Sequence, residues 1–435
     1  MGMKTLGLDI GTTTISAVIL ENDTVLDVRN EKNDSFLSGQ QWERIQDPER
    51  ILRISQNLVE EFLEKYPDTA AIGVTGQMHG ILYLDGDGNS VSPLYTWQDG
   101  RGDQAYDAEH TWASMLSNVT KYPLATGYGM VTHAYNIGHG LVPDTAKKLC
   151  TIMDYVAMNL AGNTEPGIDP TNGASLGLFC LETGCFDRMA LHRAGIDAEI
   201  LPNLVSEPCL GTGMLGIPVY GAIGDNQASF LGATGGRQDA VLINVGTGSQ
   251  VSVYSDRYLK TAAMETRPYP GGWLLVGAPL CGGSSYALLE RFFRQTVKMV
   301  TGNEESAYSA MEQALEEAVG IGEIPLTVTT FRGTRKNPAL RGSIQGISMD
   351  NFTPVHLINS FLYGMAEELF GYYREFLDLS GKQSECLIGS GNGLRKNRHL
   401  CRIMETVFGC RLILSEREEE AACGAAMYAA GGMGK

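Results

Sequence analysis

The strongest constraint on the fold is an internal repeat, because a motif near the start of the chain returns after its midpoint. Residues 6–18 read LGLDIGTTTISAV, and residues 241–253 read VLINVGTGSQVSV. Each copy is a short apolar strand, a Gly-Thr turn and a second strand rich in β-branched residues, which predicts a β-hairpin. More than half of the 435-residue chain separates the copies. We interpret the repeat as a duplicated domain, because solenoid repeats recur about every 20–50 residues. The alignment pairs Asp9 with Asn244, Gly11 with Gly246 and Thr12 with Thr247.

A second repeat supports the first. Apolar strands run into glycine-rich loops in AAIGVTGQ at residues 70–77 and in CLIGSGNG at residues 386–393. Each strand follows a long helical segment, the first over residues 47–66 and the second over residues 355–379. The first helical segment opens on an Asp-Pro pair that suits an N-cap and a first helical residue. Apolar residues then recur in it at helical spacing, which predicts a helix with one buried face.

Strands that alternate with helices indicate an α/β architecture, and we expect a largely parallel sheet. The domain boundary is placed near Pro218, before the apolar segment VYGAIG. This gives an N-terminal domain of residues 1–218 and a C-terminal domain of residues 219–435.

Composition excludes several classes of partner. Lys and Arg number 33 against 50 Asp and Glu, a formal net charge of −17, and such a field repels nucleic acid and anionic membranes. No apolar run approaches the roughly 18 residues that span a bilayer, and the first residues do not resemble a signal peptide. The nine cysteines are scattered without a Cys-x-x-Cys pair, which fits reduced thiols in a cytoplasm and no zinc site.

The two Gly-Thr turns are the best candidates for binding phosphate. A turn between two strands presents consecutive N–H groups and hydroxyls, which form a concavity suited to phosphate oxygens. Asp9, at the end of its strand, is suited to hold a magnesium ion directly or through water. For a single copy, a plain hairpin with an Asp-mediated turn is the alternative interpretation, but two equivalent copies favour the paired phosphate clamp of actin-like ATPases. The candidate phosphate residues are Gly11, Thr12, Thr13, Gly246 and Thr247.

Three motifs carry side chains suited to a polar substrate. GQMHG contributes Met78 and His79, which are suited to packing on the substrate and hydrogen bonding to it. TWQDGR combines the flat face of Trp97 with the acceptor Asp99 and the donor Arg101. GDNQAS places Asp225 after a strand, where it is a candidate general base. The structural alternatives are a histidine satisfied within the fold, a turn with a packed tryptophan and a surface ion pair, and an aspartate that caps a helix.

Two further glycine-rich segments are ambiguous. IGSGNGLRKN, residues 388–397, places three glycines after a strand, an arrangement suited to a nucleobase or ribose lying against backbone; its alternative is a simple connection. GTGMLG, residues 211–216, matches the dinucleotide pattern G-x-G-x-x-G. A strand is predicted after GTGMLG where a dinucleotide site requires a helix, so we interpret it as a turn.

Together these motifs resemble the FGGY family of carbohydrate kinases, and the resemblance covers essentially the whole chain. No single motif is specific, but their order along the chain is. The resemblance implies two actin-like, ribonuclease-H-like α/β domains from an internal duplication, with an ATP and sugar cleft between them. The motifs that match in order are DIGTT, GQMHG, W-x-D-x-R, MDYVAMNLAG, GDNQAS, the second Gly-Thr hairpin, CGGSSYALLE, RGTRKNPALRG, GSGNG and the C-terminal Gly-Ala helix.

The resemblance also implies roles for individual residues. Asp225 matches the catalytic base, and Asp9 lies at the position near magnesium. The remaining matches are Met78, His79, Trp97, Asp99 and Arg101 for the sugar; Gly11, Thr12, Thr13, Gly246 and Thr247 for the phosphates; and Gly389, Gly391, Asn392 and Asn397 for the adenosine of ATP.

The expected reaction is phosphorylation of a terminal hydroxyl of a ketose by ATP with Mg²⁺. The amino-acid sequences of these motifs are most similar to those of family members acting on sedoheptulose, and the alternative substrate is xylulose or another sugar of the family. Two other classes stay open: an actin-like module that only binds nucleotide or sugar, and a dinucleotide-dependent oxidoreductase that would rest on GTGMLG alone. The sequence leaves the oligomeric state open, a homodimer included.

Overall fold

The fold is taken from a computed structural model that describes residues 2–213, 216–318 and 320–433. The chain forms two compact units. Unit 1 contains Met1–Gly236, Pro268–Pro270 and Arg417–Lys435, and unit 2 contains Arg237–Arg267 and Gly271–Glu416. The first division therefore follows Gly236 and not residue 218 as expected, and the C-terminal segment belongs to unit 1.

The described residues form mixed α and β structure in both units. The strands are β1 (Lys4–Ile10), β2 (Thr14–Glu21), β3 (Thr24–Lys32), β4 (Ile45–Gln46), β5 (Thr69–Gly76), β6 (Leu82–Leu84), β7 (Leu94–Tyr95), β8 (Lys148–Cys150), β9 (Gly167–Ile168), β10 (Phe179–Cys180), β11 (Cys185–Phe186), β12 (Asn203–Leu204), β13 (Cys209–Gly211), β14 (Val219–Tyr220), β15 (Ala240–Val245), β16 (Ser249–Ser255), β17 (Glu265–Tyr269), β18 (Gly272–Gly277), β19 (Leu326–Val328), β20 (Ser343–Gln345), β21 (Cys386–Ser390) and β22 (Leu412–Leu414).

The helices are α1 (Pro48–Lys65), α2 (Trp112–Thr120), α3 (Gly129–Gly138), α4 (Ile152–Ala161), α5 (Pro170–Gly173), α6 (Arg188–Ala194), α7 (Asp225–Thr234), α8 (Gly283–Thr301), α9 (Tyr308–Glu317), α10 (Pro354–Ser380), α11 (Asn392–Arg395), α12 (Arg398–Phe408) and α13 (Glu420–Met433). Three short 3-10 helices cover Gly100–Asp103, Ala174–Leu176 and Ala198–Ile200. Across the described ranges, no helix is both long and apolar enough to cross a membrane.

The main sheet of unit 1 has the strand order β13-β14-β5-β1-β2-β3. The predicted hairpin is confirmed, since β1 and β2 pair antiparallel across the first Gly-Thr turn, and the predicted strand β5 pairs parallel with β1. The expectation of a largely parallel sheet is wrong, because β2–β3 and β13–β14 are also antiparallel. Short turns impose this arrangement, since parallel neighbours need a crossover of a dozen residues or more.

The predicted first helix is confirmed as α1. The Asp47 carboxylate accepts hydrogen bonds from the backbone N–H groups of Glu49 and Arg50, and Pro48 occupies the first turn. Its apolar face packs into the core of unit 1 together with α4 and strands β1, β2 and β5. The buried apolar residues of this face are Ile51, Leu52, Ile54, Leu58, Val59 and Phe62.

Helix α13 belongs to unit 1 because its small residues let it approach the sheet closely. A Cβ atom at Gly7 of β1 would lie 1.9 Å from the carbonyl oxygen of Ala422. A Cβ at Gly73 of β5 would lie 1.9 Å from that of Ala425. Only glycine fits at these two positions, so α13 packs directly on strands β1 and β5.

Unit 2 repeats the same scaffold. Its main sheet contains the order β18-β16-β15-β21-β22. The predicted second hairpin is confirmed as β15 and β16, and β21 pairs parallel with β15 as β5 pairs with β1. The predicted second helix is confirmed as α10, whose apolar residues fill the core of unit 2.

Candidate active site

Unit 1 contains a polar pocket of about 380 Å³ at the carboxyl ends of β1 and β5 and the start of α7. The carboxyl ends of sheet strands are where α/β proteins bind ligands. The pocket brings together seven predicted site residues that are far apart in the sequence. They are Asp9, Gly11, Thr12, Met78, His79, Trp97 and Asp225, and the lining is completed by Gly76, Gln77, Asn226, Ser229 and Ala421.

Asp225 is the first residue of α7 but does not cap it. The N-cap position is Gly224, which makes no side-chain cap, so the interpretation of Asp225 as an N-cap is wrong. The Asp225 carboxylate instead accepts a hydrogen bond of 2.6 Å from the side-chain amide of Asn226. The carboxylate therefore lies in the wall of the pocket, in contact with a neutral donor.

Asp9 supplies a second carboxylate to this pocket. Burial raises the pKa of Asp9 to about 7, and the negative charges of Asp225 and Glu419 add to the shift. Because ionising the Asp9 carboxyl group is unfavourable in this position, a cation that enters the pocket would stabilise its charged form.

His79 is held in a strained conformation at the pocket. It has a φ of 73°, and the N–H of Gly80 bonds to the carbonyl oxygen of Met78 at 2.9 Å. This is a γ-turn with positive φ, a rare and strained form. The ring stacks on Tyr128 with centroids 4.8 Å apart. Its Nδ1 lies 2.7 Å from the carbonyl oxygen of Ser175, which can only accept, so Nδ1 carries the proton and Nε2 is the acceptor of the neutral ring.

Trp97 joins the first Gly-Thr turn to the pocket through a polar network. Its side chain is 46% exposed, and its indole N–H donates to the Thr12 hydroxyl at 3.0 Å. The Thr12 hydroxyl in turn lies 3.3 Å from the amide oxygen of Gln77. Gln46 donates from its side chain to the backbone carbonyl of Thr12 and accepts from Gln77. Sequence reasoning missed both glutamines, although Gln77 stands within the GQMHG motif.

Asp99 and Arg101 do not line this pocket. Their side chains are 0% and 1% exposed, and Arg101 Nε donates to Asp99 Oδ1 at 2.6 Å. The guanidinium also lies 4.0 Å from the centroid of the Tyr95 ring, and Asp99 Oδ2 accepts the backbone N–H of Arg44. The two residues therefore form a buried ion pair behind the loop that carries Trp97. For Asp99 and Arg101, the alternative of a structural ion pair fits the observed geometry better than contact with a sugar does. The ion pair is, however, buried and not on the surface as that alternative had it.

Unit 2 contains a cavity of about 900 Å³ beside the second Gly-Thr turn. The N-terminus of α8 packs on this turn, where Gly283 N–H donates to the Gly246 carbonyl and Ser284 N–H donates to the Thr247 carbonyl, each at 3.0 Å. The positive end of the helix dipole therefore lies beside the turn, an arrangement that favours anions. The predicted residues in the lining are Gly246, Thr247, Gly391, Asn392 and Asn397.

The glycine-rich loop after β21 reaches the cavity through some of its residues only. Gly391 has a φ of 83°, and a Cβ there would lie 2.6 Å from the Val245 carbonyl oxygen, so glycine is required. Gly389 lies inside β21, against the side chain of Leu412, and does not line the cavity. Asn397 lines the cavity and caps α12 by accepting the N–H of Leu400.

Several lining residues of unit 2 were not predicted. The buried hydroxyl of Ser284 has no hydrogen-bond partner among the described residues, an orphan that a ligand oxygen would satisfy. Burial raises the pKa of Tyr286 to about 12, so its hydroxyl stays a donor. Both residues belong to CGGSSYALLE, which the sequence marks as a motif without showing which side chains face a ligand. Thr13, by contrast, is exposed and lines neither pocket.

Two other predictions concern metals and dinucleotides. Within residues 2–213, 216–318 and 320–433, no three His, Cys, Asp or Glu side chains form a ready metal site. Of GTGMLG, Met214 and Leu215 lie outside the described residues. The strands that flank this segment, β13 and β14, pair antiparallel, and no helix follows it, so the described part lacks the helix that a dinucleotide site requires.

The two units carry matching Gly-Thr hairpins on similar sheets, the first at a pocket with two carboxylates and the second at a larger cavity. This is the arrangement expected of a phosphotransferase of the actin-like class. Residues 4–232 match the N-terminal domain, and residues 241–433 the C-terminal domain, of the FGGY family of carbohydrate kinases. The chain belongs to this family and is a carbohydrate kinase.

Individual relatives cover nearly the full length of the chain. It is 28% identical to a sedoheptulokinase of Mus musculus, covering 97% of this chain and 96% of the relative. It is 24% identical to a xylulose kinase of Bacillus subtilis (strain 168), with 99% and 88% covered. The crystal structure of xylulose kinase from Rhodospirillum rubrum has the same fold, with a TM-score of 0.82 at 22% identity over 99% of this chain and 90% of that chain.

Proposed function

We propose that this kinase transfers the γ-phosphoryl group of ATP to the terminal hydroxyl of sedoheptulose, giving sedoheptulose 7-phosphate. The identity to a sedoheptulokinase across almost the whole length of both chains supports this substrate. Xylulose is the second candidate, supported by the weaker similarity to a xylulose kinase.

The observation that carries the proposal is the presence of a carboxylate, an imidazole and an exposed indole in one pocket. Asp225 is the proposed general base, which accepts the proton of the sugar hydroxyl as its oxygen attacks phosphorus. His79 lines the same pocket, and its ring is the proposed hydrogen-bond partner of a second hydroxyl. The exposed face of Trp97 suits the C–H groups of a sugar.

We propose that the nucleotide binds in the cavity of unit 2. Its volume of about 900 Å³ lies within the usual range of ligand pockets, about 300–1,000 Å³. The phosphates would lie beside Gly246 and Thr247 at the start of α8, and the adenosine beside Gly391, Asn392 and Asn397. The backbone of the first turn, at Gly11 and Thr12, is proposed to contact the transferred group.

The donors in unit 1 fit a magnesium ion. Asp9 and Asp225 offer the oxygen ligands that this hard cation prefers. The raised pKa of Asp9 shows that the site disfavours its negative charge, and a cation would relieve this. When bound, magnesium would neutralise charge on the transferring phosphoryl group. Asp9 is the proposed metal-holding residue.

The direct test is a coupled assay of ADP release with sedoheptulose, xylulose, ribulose and glycerol at saturating Mg-ATP. We expect sedoheptulose to give the highest kcat/KM and xylulose the next. A preference for xylulose would reassign the substrate within the family. Binding of ATP with no turnover on any of the sugars would contradict the proposal and favour a binding module.

A further inference from the structure

One short segment of unit 1, residues 169–175, contacts both walls of the sugar pocket without lining it. The hydroxyl of Thr171 accepts the backbone N–H of Gly224 at 3.1 Å, and Gly224 directly precedes Asp225. The same hydroxyl donates to Asp169 Oδ1 at 2.6 Å. Asp169 Oδ2 accepts from the Tyr428 hydroxyl at 3.0 Å. The Thr171 oxygen is therefore oriented with its lone pair toward the residue before the proposed base.

Ser175, at the other end of the segment, contacts the strained turn at His79 twice. Its hydroxyl oxygen accepts the His79 backbone N–H at 3.3 Å, and its carbonyl accepts from His79 Nδ1 at 2.7 Å. A non-glycine residue with positive φ is strained and persists only where its surroundings hold it. The two contacts with Ser175 hold His79 in this conformation, and the contact with the carbonyl also fixes the tautomer of the ring.

The segment itself is anchored in the interior. The Asn172 side chain donates to Asp154 Oδ2 at 2.9 Å and to the Thr151 hydroxyl at 2.8 Å. Asn172, Thr151 and Asp154 are all fully buried. This anchor keeps Thr171 and Ser175 at a fixed spacing on a rigid base.

We propose that Thr171 and Ser175 are positioning residues of this kinase, Thr171 for Asp225 and Ser175 for His79. The inference rests on the proposed function of the unit 1 pocket. It assigns two separable effects to one segment, because the base acts in the chemical step whereas the imidazole acts in sugar binding.

The kinetic test uses Thr171→Val and Ser175→Ala. Thr171→Val keeps the shape but removes the acceptor of the Gly224 N–H, and we expect kcat to fall about tenfold or more, with little change in sugar KM, because small misplacements at a reacting centre are costly. Ser175→Ala should raise sugar KM severalfold, the scale of one hydrogen bond, with a smaller change in kcat. Thr171→Ser retains the hydroxyl and should restore kcat.

Thr120→Val is the matched control. Thr120 is also fully buried in unit 1, and its hydroxyl donates to the Leu116 carbonyl at 2.7 Å. The Thr120 hydroxyl also accepts the backbone N–H of Tyr122 at 3.3 Å, so this variant loses an acceptor of the same type but no contact with the pocket, and its kcat and KM should stay at wild-type values. Equal kinetics for Thr171→Val and Thr120→Val, or failure of Thr171→Ser to restore kcat, would overturn the role of Thr171.

A second readout does not depend on activity. Ser175→Ala removes only the hydroxyl that accepts the His79 backbone N–H, so hydrogen exchange at the His79 amide should accelerate in Ser175→Ala and stay unchanged in Thr171→Val. Hydrogen exchange at the Gly224 amide should accelerate in Thr171→Val and stay unchanged in Thr120→Val. If the wild type phosphorylates no sugar, the proposed function fails, while these measurements still decide the positioning roles. Unchanged exchange at the His79 amide in Ser175→Ala and at the Gly224 amide in Thr171→Val would overturn them.

Discussion

The two Gly-Thr hairpins share a scaffold and differ in charge at one equivalent position. In unit 2, the amide of Asn244 donates to the hydroxyl of Ser390, the residue opposite it on the neighbouring parallel strand, at 3.0 Å. In unit 1, Asp9 stands opposite Thr75, but the Thr75 hydroxyl donates to a backbone carbonyl instead. One copy is neutral and satisfied, whereas the other presents a buried carboxylate to a pocket.

This difference separates two kinds of ligand on one duplicated frame. A neutral turn beside a helix N-terminus suits a polyanion such as a nucleoside triphosphate. A turn with a carboxylate next to Asp225 favours a cation or a neutral polyol, and it would contact the anionic transferred group only together with magnesium. The duplication thus gives both units the same backbone at the Gly-Thr turn. The exchange of the Asp9 carboxylate for the Asn244 amide accompanies the proposed division into a sugar site and a nucleotide site.

The largest effect should come from removing the proposed base of unit 1. Asp225→Asn keeps the shape of the side chain but cannot take the proton, so kcat should fall by about 10²–10⁴-fold while sugar binding largely survives. Steady-state kinetics and calorimetry measure the two quantities. Asp144→Asn, at an exposed position of the same unit, should be unaffected. A near wild-type kcat in Asp225→Asn would remove the functional contrast between the two units.

The next largest effect concerns stability. Asp99→Ala removes the nearer carboxylate of the buried Arg101 and leaves Glu43, 3.7 Å from the guanidinium; breaking a buried ion pair typically costs about 3–5 kcal/mol. The melting temperature should therefore fall sharply, while the ATP affinity of the protein that remains folded should hold. Normal stability with an altered choice of sugar would instead return Asp99 to the sugar site.

Asp9→Asn should make stability less dependent on pH. Because the pKa of Asp9 is raised to about 7 in the fold, the folded state binds more protons than the unfolded state between about pH 4 and 7, and stability is lost as pH rises through this window. The variant should exceed the wild type in free energy of unfolding at pH 8, by on the order of a few kcal/mol at most. This difference in free energy of unfolding between the variant and the wild type should be smaller at pH 5, and added magnesium should reduce it at pH 8. Parallel urea unfolding of the two proteins at both pH values checks this, and a gap that is constant with pH would contradict it.

The smallest effect should come from placing a charge in the neutral copy. Asn244→Asp introduces a carboxylate next to the proposed phosphate turn, and repulsion of about 1 kcal/mol should raise the KM for ATP severalfold. The KM for sugar should not change. Kinetics with each substrate varied in turn provide the measurement. A change in the KM for sugar with no change in the KM for ATP would reverse the assignment of the units.

Local patterns explain why much of the scaffold could be predicted. The hairpins, β5, β21 and the helices α1 and α10 follow from alternation, helical spacing and an Asp-Pro start, which are properties of neighbouring residues. The mixed sheet was not predicted: the short turn between β2 and β3 makes that pair antiparallel, whereas the place of β13 and β14 in the sheet depends on which elements come together in the fold. For the same reason the small residues of α13 did not reveal that it packs in unit 1.

The site shows the same limit. Asp9, His79, Trp97 and Asp225 stand in distinctive motifs, and the fold brings them to one pocket. Asp99 and Arg101 looked equally suited to a sugar, because a sequence does not show whether an ion pair points to solvent, ligand or core. Gln46, Thr171 and Ser175 carried no signal, since each acts through a partner that only the tertiary structure places beside it.

We assign the sugar to unit 1 and the nucleotide to unit 2, and calorimetry on two reciprocal variants is the sharpest test of this assignment. Trp97→Ala removes the exposed indole of the first pocket, and Tyr286→Ala removes a ring from the second. We predict that Trp97→Ala weakens sedoheptulose binding by about tenfold or more, the scale of a buried aromatic contact, with ATP affinity unchanged. We predict the reverse for Tyr286→Ala. Loss of ATP affinity in Trp97→Ala with sugar binding intact would contradict this assignment of the two sites.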